Sequence, residues 1–483
     1  MGGVSKKVSI YLRSASAGFV ARVVQKLSGF VSVWLLNQIL TKGGYGNYEF
    51  AFALVSMLLI FGSGGLQNVA MYRLSRLDAP PETLSGYRLT GTLLGLSIII
   101  GTLVAGTVGA AGPYIATVSD KPELSFWIGL LAFLIPIRVA RGIYRNWYQA
   151  RQLVAEAMLF SRIAPPVVKV VLLGGVWMLW PTTQGVVGAI LLSELIPVLA
   201  WFVRSPTNIL PDPKVLSWWD VKYAAKLMLT RGLSKTNKRA DILMMGALAT
   251  SVATAEYVIA SKLAMLTLIA HQLSGLILPA RIGSFIDKNE KGKIQREYHK
   301  TRVVSLIFSI ACLFFAFLFG EDALNLFGNY SSAFPVLLIL SSTYVVQVSF
   351  GKCGAYLNIA GYAGWTLVTT SMVVIINILF NYILIPIWGA MGASISIMIS
   401  IIFSNSFTAF MVNYLDGINT YSKRSFIITA ICLLVTLAHV GEFLGVLFSS
   451  LVLVVVMSYL VLMEFETMVG IFYAIYESLY SLK

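Results

Sequence analysis

Lysine and arginine residues recur inside stretches of this sequence that are otherwise apolar. Arg22 and Lys26 lie four positions apart, so they share one face of a helix. Arg231, Lys235 and Lys238 fall within about 60° of helical arc at roughly 100° per residue. Guanidinium groups bind phosphate oxygens through paired N–H donors, and ammonium groups bind them as point charges. The pattern therefore favours a site that holds an anion.

Two further lysines and two acidic residues extend this set. Lys169 is expected about 20 Å into its helix, near the middle of a membrane. Lys262 lies in the outer half of another apolar stretch. Glu194 and Asp241 are rare carboxylates within apolar segments, and they are the candidates for coupling to H+ or Na+. Ion pairing with Lys238 is the simpler explanation of Asp241.

A second arginine-rich stretch, Arg138, Arg141, Arg145 and Arg151, lies toward the end of an apolar segment. Long cationic side chains near a helix end extend to the membrane interface and hold that end in the cytoplasm. We interpret these four arginines as such topological residues.

Lipid must surround most of the elements that carry these charges. Of the 483 residues, 57% are hydrophobic and only 12% are charged, which leaves too little polar surface for soluble domains. Apolar runs of about 18–25 residues recur along the chain, each long enough to cross a hydrocarbon core of roughly 30 Å. They predict an all-α polytopic membrane protein of about fourteen spans. The expected spans are 15–40, 48–70, 88–110, 124–148, 155–179, 184–204, 222–246, 255–280, 301–320, 334–358, 363–385, 389–414, 425–441 and 443–463.

The cationic residues inside these spans cannot all face lipid. Each would cost roughly 2.5–3.5 kcal/mol at the bilayer centre. Internal salt bridges with the few acidic residues available, such as Glu194, Asp241 or Glu256, are one solution. A water-filled cavity with surplus positive charge is the simpler one, and such a cavity would attract an anion.

The basic residues of the loops predict the orientation of the chain. One alternate set of loops holds most of them, including Arg73, Lys214 and Arg281, whereas the other holds little beyond Lys42 and Lys121. Positively charged loops stay in the cytoplasm, so both termini are expected there. The beginning of the sequence lacks the compact apolar core and cleavage site of a secretory signal.

An internal repeat occurs at an offset near 204 to 209 residues. The segment from Tyr48 aligns with the segment from Tyr257, and the Gly-rich start at Gly185 aligns with that at Gly389. The offset spans an even number of helices, which predicts two six-helix lobes as parallel pseudo-twofold repeats. The expected divisions are an N-terminal lobe at 1–213, a C-terminal lobe at 214–416, and two added helices with a cytoplasmic tail at 417–483.

Sequence signatures of common enzymes are missing. The chain has no Walker-type phosphate loop, no cluster with zinc-ligand spacing and no G-x-S-x-G nucleophile motif. We therefore expect a protein that is not an enzyme and that has no metal, cofactor or catalytic residues. The net charge of +15 is divided between loops and spans, so we expect no nucleic-acid partner.

Two segments carry a family resemblance. Leu40-Thr-Lys-Gly-Gly-Tyr45-Gly46-Asn-Tyr48, followed by Gly65-Leu66-Gln-Asn68 and Arg73, resembles the opening of the polysaccharide-transport branch of the multidrug/oligosaccharidyl-lipid/polysaccharide (MOP) exporter superfamily. The stretch from Asp241 to Gly246, with Ala255-Glu-Tyr257 and Ala260-Ser-Lys262-Leu263, is similar to that family's seventh and eighth helices. The resemblance covers nearly the whole chain.

The resemblance implies a function for the cationic cavity. Members of this branch, the Wzx-type flippases, move undecaprenyl-pyrophosphate-linked sugar repeats across the bacterial inner membrane for O-antigen, capsule or exopolysaccharide assembly. It implies membrane lipids and lipid-linked oligosaccharide as partners, together with polysaccharide polymerase and chain-length proteins. Arg22, Lys26, Arg231 and Lys235 are then the expected pyrophosphate contacts, with Lys169, Lys238 and Lys262 in the same cavity.

Two other functions compete with this one. A multidrug or cation antiporter of the same superfamily would need intramembrane carboxylates and few lysines, the opposite of the balance here. A polytopic glycosyltransferase, polymerase or ligase would need a sizeable outward loop with acidic or histidine catalysts. The longest outward loops offer only Asp120, Glu123, Glu321 and Asp322.

Overall fold

The computed structural model describes residues 2–76, 83–204, 211–237, 239–288, 290–420 and 423–441, with a few positions between 449 and 456. Side chains are described from Ala21 onward, with gaps that include positions 229–238. Throughout these ranges the secondary structure is helical, as the apolar runs predict. The helices fall into two compact units, which meet in sequence between Ala247 and Leu248.

The first unit consists of eleven described helices. They are α1 (Gly2–Ile39), α2 (Lys42–Ser63), α3 (Leu66–Arg76), α4 (Leu84–Val118), α5 (Glu123–Leu131), α6 (Leu134–Ala150), α7 (Val154–Met158), α8 (Ala164–Leu179), α9 (Thr183–Arg204), α10 (Trp218–Asn237) and α11 (Ala240–Leu248). A π-helical turn, Leu159–Ile163, joins α7 to α8.

The second unit contains the remaining described helices. They are α12 (Ser251–Ala264), α13 (Ile269–Asp287), α14 (Lys291–Leu326), α15 (Phe334–Ser349), α16 (Cys353–Ile359), α17 (Ala363–Asp416) and α18 (Lys423–Val440). Within the described ranges of the whole chain, nine helical stretches are long and apolar enough to cross a membrane. The protein is therefore an all-helical polytopic membrane protein.

The helices follow the expected spans closely, with informative exceptions. The seventh span is interrupted between α10 and α11, and the tenth breaks after Ser349. The eleventh and twelfth spans form one long element, α17, which is kinked at Gly389 with φ 52° and ψ −125°. Only glycine adopts such a conformation readily, so this residue marks the predicted boundary between the two spans. The fourteenth span, 443–463, lies almost entirely outside the described residues.

Aromatic side chains hold the core of the first unit together. Trp147 of α6 and Trp201 of α9 are each 1% exposed and pack edge to face, with their ring centres 5.6 Å apart. Leu89 of α4 and Val69 of α3 complete the same cluster. In contrast, α8 leaves Leu179 and its neighbours exposed, which is expected of a helix that faces lipid.

The second unit is built around α15. Nearly every residue of this helix is buried, from Phe334 to Ser349. Close by, the hydroxyls of Tyr356 and Tyr362 both donate hydrogen bonds to Asp416, at 2.6 and 3.2 Å. These bonds join α16 and the start of α17 to the far end of α17, because Asp416 is its last residue. They stabilise the short connection between the tenth and eleventh spans.

The two members of the predicted repeat begin with the same helix cap. The Thr41 hydroxyl accepts from the Gly44 backbone N–H at the start of α2, and the Thr250 hydroxyl accepts from Ala253 at the start of α12, both at 3.1 Å. Thr250 lies 209 positions after Thr41, the same offset that separates Tyr257 from Tyr48. A threonine cap satisfies an N–H that the first helical turn would otherwise leave without a partner. The lobe boundaries at 213 and 416 stay predictions.

Candidate anion-binding site

A polar cavity of about 220 Å³ lies within the first unit. A single ordered water needs only roughly 10–15 Å³ measured in the same way, so the cavity has room for a small solute with several waters. Its wall is formed by residues of α2, α3, α6 and the π-helical turn. These are Leu59, Ser63, Gln67, Arg138, Arg141, Gly142, Arg145 and Ser161.

The three arginines share one face of α6 because their spacings of three and four match the helical repeat. Arg138 lies about 22 Å along the helical stretch that begins at Glu123, and Arg145 about 33 Å. The set therefore extends from mid-membrane depth toward the end of the span. Arg138 and Arg141 are largely buried, with side-chain exposures of 15% and 21%.

Glu194 of α9 pairs with two of these arginines at once. Arg138 donates from Nε and Nη2 to Oε1 of Glu194, at 2.9 and 2.7 Å. Arg141 donates from Nη1 to the other carboxylate oxygen. The positive charge of Lys169, from α8, also acts on this carboxylate. Two guanidinium groups thus share one buried carboxylate, which leaves surplus positive charge beside the cavity.

Aromatic and amide groups fix the position of the arginines. The Arg138 guanidinium lies 4.8 Å from the ring centre of Phe52, and the Arg239 guanidinium lies 5.7 Å from it. Cations at such distances are attracted to the ring face. Arg145 donates to the side-chain carbonyl of Asn146 at 3.4 Å. These contacts position guanidinium groups that lipid alone would not accommodate.

Gly142 leaves space for the neutral amide of Gln67 in the wall of the cavity. The side chain of Gln67, from α3, lies directly over Gly142, in the space that a Cβ at position 142 would occupy. Asn146 donates to the backbone carbonyl of Gln67. Gly142 therefore lets α3 approach α6 closely and places an amide between Arg138 and Arg145.

The structure brings together two of the residues expected from the sequence. Lys169 and Glu194 lie near each other and near the α6 arginines. Arg22 and Lys26 of α1 are exposed, and neither is among the described residues that line the cavity. Asp241 is half-buried at the start of α11.

The other expected contacts remain predictions. The side chains of Arg231 and Lys235, and the whole of Lys238, lie outside the described residues. Lys262 is half-buried in the last turn of α12, in the second unit.

The topological interpretation of Arg138 and Arg141 is wrong. Side chains that extend to an interface end in water, whereas these two end on a buried carboxylate. Their spacing on one helix face was the available signal, but the acidic partner lies 53 to 56 positions later in the chain. Arg151 fits the topological interpretation better, because it lies beyond α6 and covers the Trp147 ring at 4.4 Å.

Comparison with known proteins bears on this site. A family model described as polysaccharide biosynthesis protein matches residues 11–276, more than half of the chain. The chain belongs to this family. The resemblance to the polysaccharide-transport branch is thus confirmed. A second model, MatE, matches residues 228–383, whereas no curated protein matches the chain.

Solved structures share the fold of this polysaccharide biosynthesis family member. An inward-facing multidrug resistance MATE family transporter of the MOP superfamily is 16% identical, with a TM-score of 0.67 over 81% of this chain and 94% of that one. A MOP superfamily transporter from Pyrococcus furiosus, described as having a binding pocket of reverse polarity, is 15% identical, with a TM-score of 0.58 over 86% and 96%. An outward-facing multidrug resistance MATE family transporter is 14% identical, with a TM-score of 0.54 over 84% of this chain and 95% of that one. At these identities the likeness establishes the fold alone.

Proposed function

We propose that this protein is a flippase for oligosaccharide repeat units linked to undecaprenyl pyrophosphate. It moves them from the cytoplasmic to the periplasmic leaflet of a bacterial inner membrane for surface polysaccharide assembly. The observation that carries the proposal is the arginine-lined cavity of the first unit, in a member of the polysaccharide biosynthesis family. A pyrophosphate is a compact anion, and guanidinium groups bind its oxygens in pairs.

Alternating access is the mechanism we propose. The sugar-pyrophosphate occupies a polar site inside the protein while the lipid tail stays in the bilayer, and the two predicted six-helix lobes are the moving parts. Both termini are cytoplasmic in this proposal, and fourteen spans cross the membrane. Translocation in this form needs no covalent chemistry, and H+ or Na+ coupling through Glu194 or Asp241 would supply the driving force.

The composition of the cavity argues against cation export. Among the described residues, Arg138 and Arg141 share a single carboxylate, that of Glu194, and Lys169 adds charge of the same sign as the arginines. Such a wall repels cations and attracts anions. The fold shared with multidrug transporters is equally compatible with either cargo, so the polarity of the wall decides between them.

A deletion strain tests the proposed function. We expect undiminished lipid-linked repeat units that a membrane-impermeant reagent added outside the inner membrane cannot modify. Wild-type protein should restore access and polysaccharide, whereas Arg141→Gln should restore at least tenfold less polysaccharide at equal protein level, because a bidentate anion contact is lost. Arg231→Ala and Lys235→Ala test the contacts expected from the sequence.

Two results would contradict the proposal. Repeat units that the reagent reaches in the deletion strain would have crossed already, which favours a polymerase or ligase. Normal polysaccharide in Arg141→Gln, Arg231→Ala and Lys235→Ala would remove the anion site from the mechanism. Arg88→Gln is the matched control, because Arg88 is half-exposed at the surface and its partner is Asp212, at 3.4 Å.

A further inference from the structure

The Glu194 carboxylate accepts hydrogen bonds from the same guanidinium N–H groups that would bind a phosphate group. It accepts two N–H donors from Arg138 on one oxygen and one from Arg141 on the other. Phosphate oxygens accept the same guanidinium N–H donors. An anion that entered the adjacent cavity could therefore bind fully to these arginines only by displacing Glu194.

We propose that the Glu194 carboxylate competes with anionic ligands for Arg138 and Arg141, and thereby prevents weakly binding anions from occupying this arginine pair. The proposal rests on the proposed function, since it concerns the same anion site. With Glu194 in place, the affinity of the pair for every anion is lowered by a common factor. The affinity of small cellular anions for the pair is then too low for them to displace the carboxylate. A ligand that gains further contacts through its sugars and lipid can still displace it.

A second consequence concerns the empty site. Two guanidinium groups buried without any counter-ion would be costly, because the desolvation of each charge is not offset. Glu194 offsets that cost whenever no ligand is bound. The carboxylate therefore stabilises the ligand-free protein, and it also sets the affinity that a ligand needs in order to bind the arginines.

Competition and positioning predict opposite effects of removing the carboxylate charge. If Glu194 competes with the ligand, Glu194→Gln frees both arginines and anion binding becomes tighter. If Glu194 only holds the arginines in place, the same variant disorders them and anion binding becomes weaker. The sign of the change in affinity thus separates the two roles.

Titration calorimetry of the purified full-length protein in detergent measures that sign, with inorganic pyrophosphate and inorganic phosphate as probes at constant ionic strength. We expect Glu194→Gln to bind both probes about ten- to a hundredfold more tightly than wild type, as the loss of a charge-assisted competitor implies. Asp120→Asn is the matched control. It removes one exposed carboxylate of the same unit, and asparagine tolerates the positive φ of 51° at that position. Its affinities should equal those of wild type.

A second variant guards against misfolding of Glu194→Gln. Glu194→Asp keeps the charge but is one methylene shorter, so its carboxylate cannot reach both guanidinium groups as well. We expect it to bind pyrophosphate more tightly than wild type by a smaller factor. Weaker or unchanged binding in the folded Glu194 variants, or tightening of equal size in Asp120→Asn, would overturn the inference.

The titration and the strain experiment fail independently. If Glu194→Gln binds pyrophosphate more tightly but the deletion strain traps no repeat units, the competitive role of Glu194 stands and the proposed cargo is rejected. If the deletion strain traps repeat units but Glu194→Gln binds pyrophosphate more weakly, the proposed cargo stands and the competitive role of Glu194 is rejected.

Discussion

At the scale of single residues, the site is organised by one carboxylate shared between two guanidinium groups. Breaking a buried ion pair usually costs more than forming it contributes, because the remaining charge stays desolvated. Glu194 is 9% exposed as a side chain, so its removal leaves two such charges behind. Removal of Arg141 leaves none, because Arg138 still holds Glu194 through two N–H donors.

This asymmetry predicts the order of stabilities without ligand. Glu194→Gln should lower the free energy of unfolding by about 3 kcal/mol, and Arg141→Gln by about 1–2 kcal/mol. Denaturant unfolding of the purified variants in mixed micelles measures both values. A Glu194→Gln protein as stable as wild type would contradict the assignment of a shared, buried carboxylate.

The residues show where sequence reasoning succeeds and where it stops. The rarity of charges inside apolar spans predicts that Glu194 and Lys169 matter. Glu194 contacts two arginines of the cavity wall, and the charge of Lys169 acts on Glu194. The sequence alone favours a topological role for Arg138 and Arg141, because depth in a span does not reveal which face meets another helix. That contact depends on how α6 packs against α9, and no pattern within either helix encodes it.

At the scale of elements, Gly65 controls the approach of α3 to α10. Its φ is +74°, and a Cβ at this position would overlap the backbone carbonyl of Ala224. Both features demand glycine, since other residues pay in backbone strain and in steric overlap. The sequence marks the site only as a run of glycines near the end of the second span.

We expect Gly65→Ala to destabilise the folded protein by about 2–4 kcal/mol, the sum of left-handed strain and overpacking. The measurement is the yield and unfolding free energy of monodisperse protein after purification. Gly95→Ala in α4 is the matched control, because a Cβ there meets nothing within 4 Å. It should be neutral or slightly stabilising, as alanine favours a helix interior more than glycine does. Equal behaviour of the two variants would show that the close approach does not exist.

Element positions were largely predictable, because lipid demands long apolar runs and those runs are visible in the sequence. Interruptions inside the spans were less visible. The break after Ser349 carries no proline, and α15 and α16 would read as one continuous helix by hydropathy. The boundary within α17 could be anticipated, since Pro386 and Gly389 lie close together there.

At the scale of the whole molecule, the charged cavity and the most buried helix belong to different units. The arginines lie on α6 in the first unit, whereas α15 forms the apolar centre of the second. A ligand that binds the arginine pair should therefore stabilise particular helices rather than the chain evenly. Ligand binding to the native state slows local opening where the contacts are made.

Hydrogen exchange of the purified Glu194→Gln protein tests this expectation. Inorganic pyrophosphate should slow exchange in peptides from α6 and α3, by about tenfold if it is present at ten times its dissociation constant. Peptides from α15 serve as the internal reference and should not change. Protection confined to the second unit would place the anion elsewhere.

The distance in sequence between the arginines and Glu194 also bears on how the protein is made. Arg141 emerges from the ribosome 53 residues before the carboxylate that neutralises it. Until then α6 carries three arginines that are costly to release into lipid, so we expect it to be retained by the insertion machinery until α9 follows. By contrast, Ser342 and Thr343 of α15 turn their hydroxyls back onto carbonyls of their own helix, at 2.7 Å. We therefore expect that helix to enter the bilayer as soon as it is synthesised, before its neighbours pack around it.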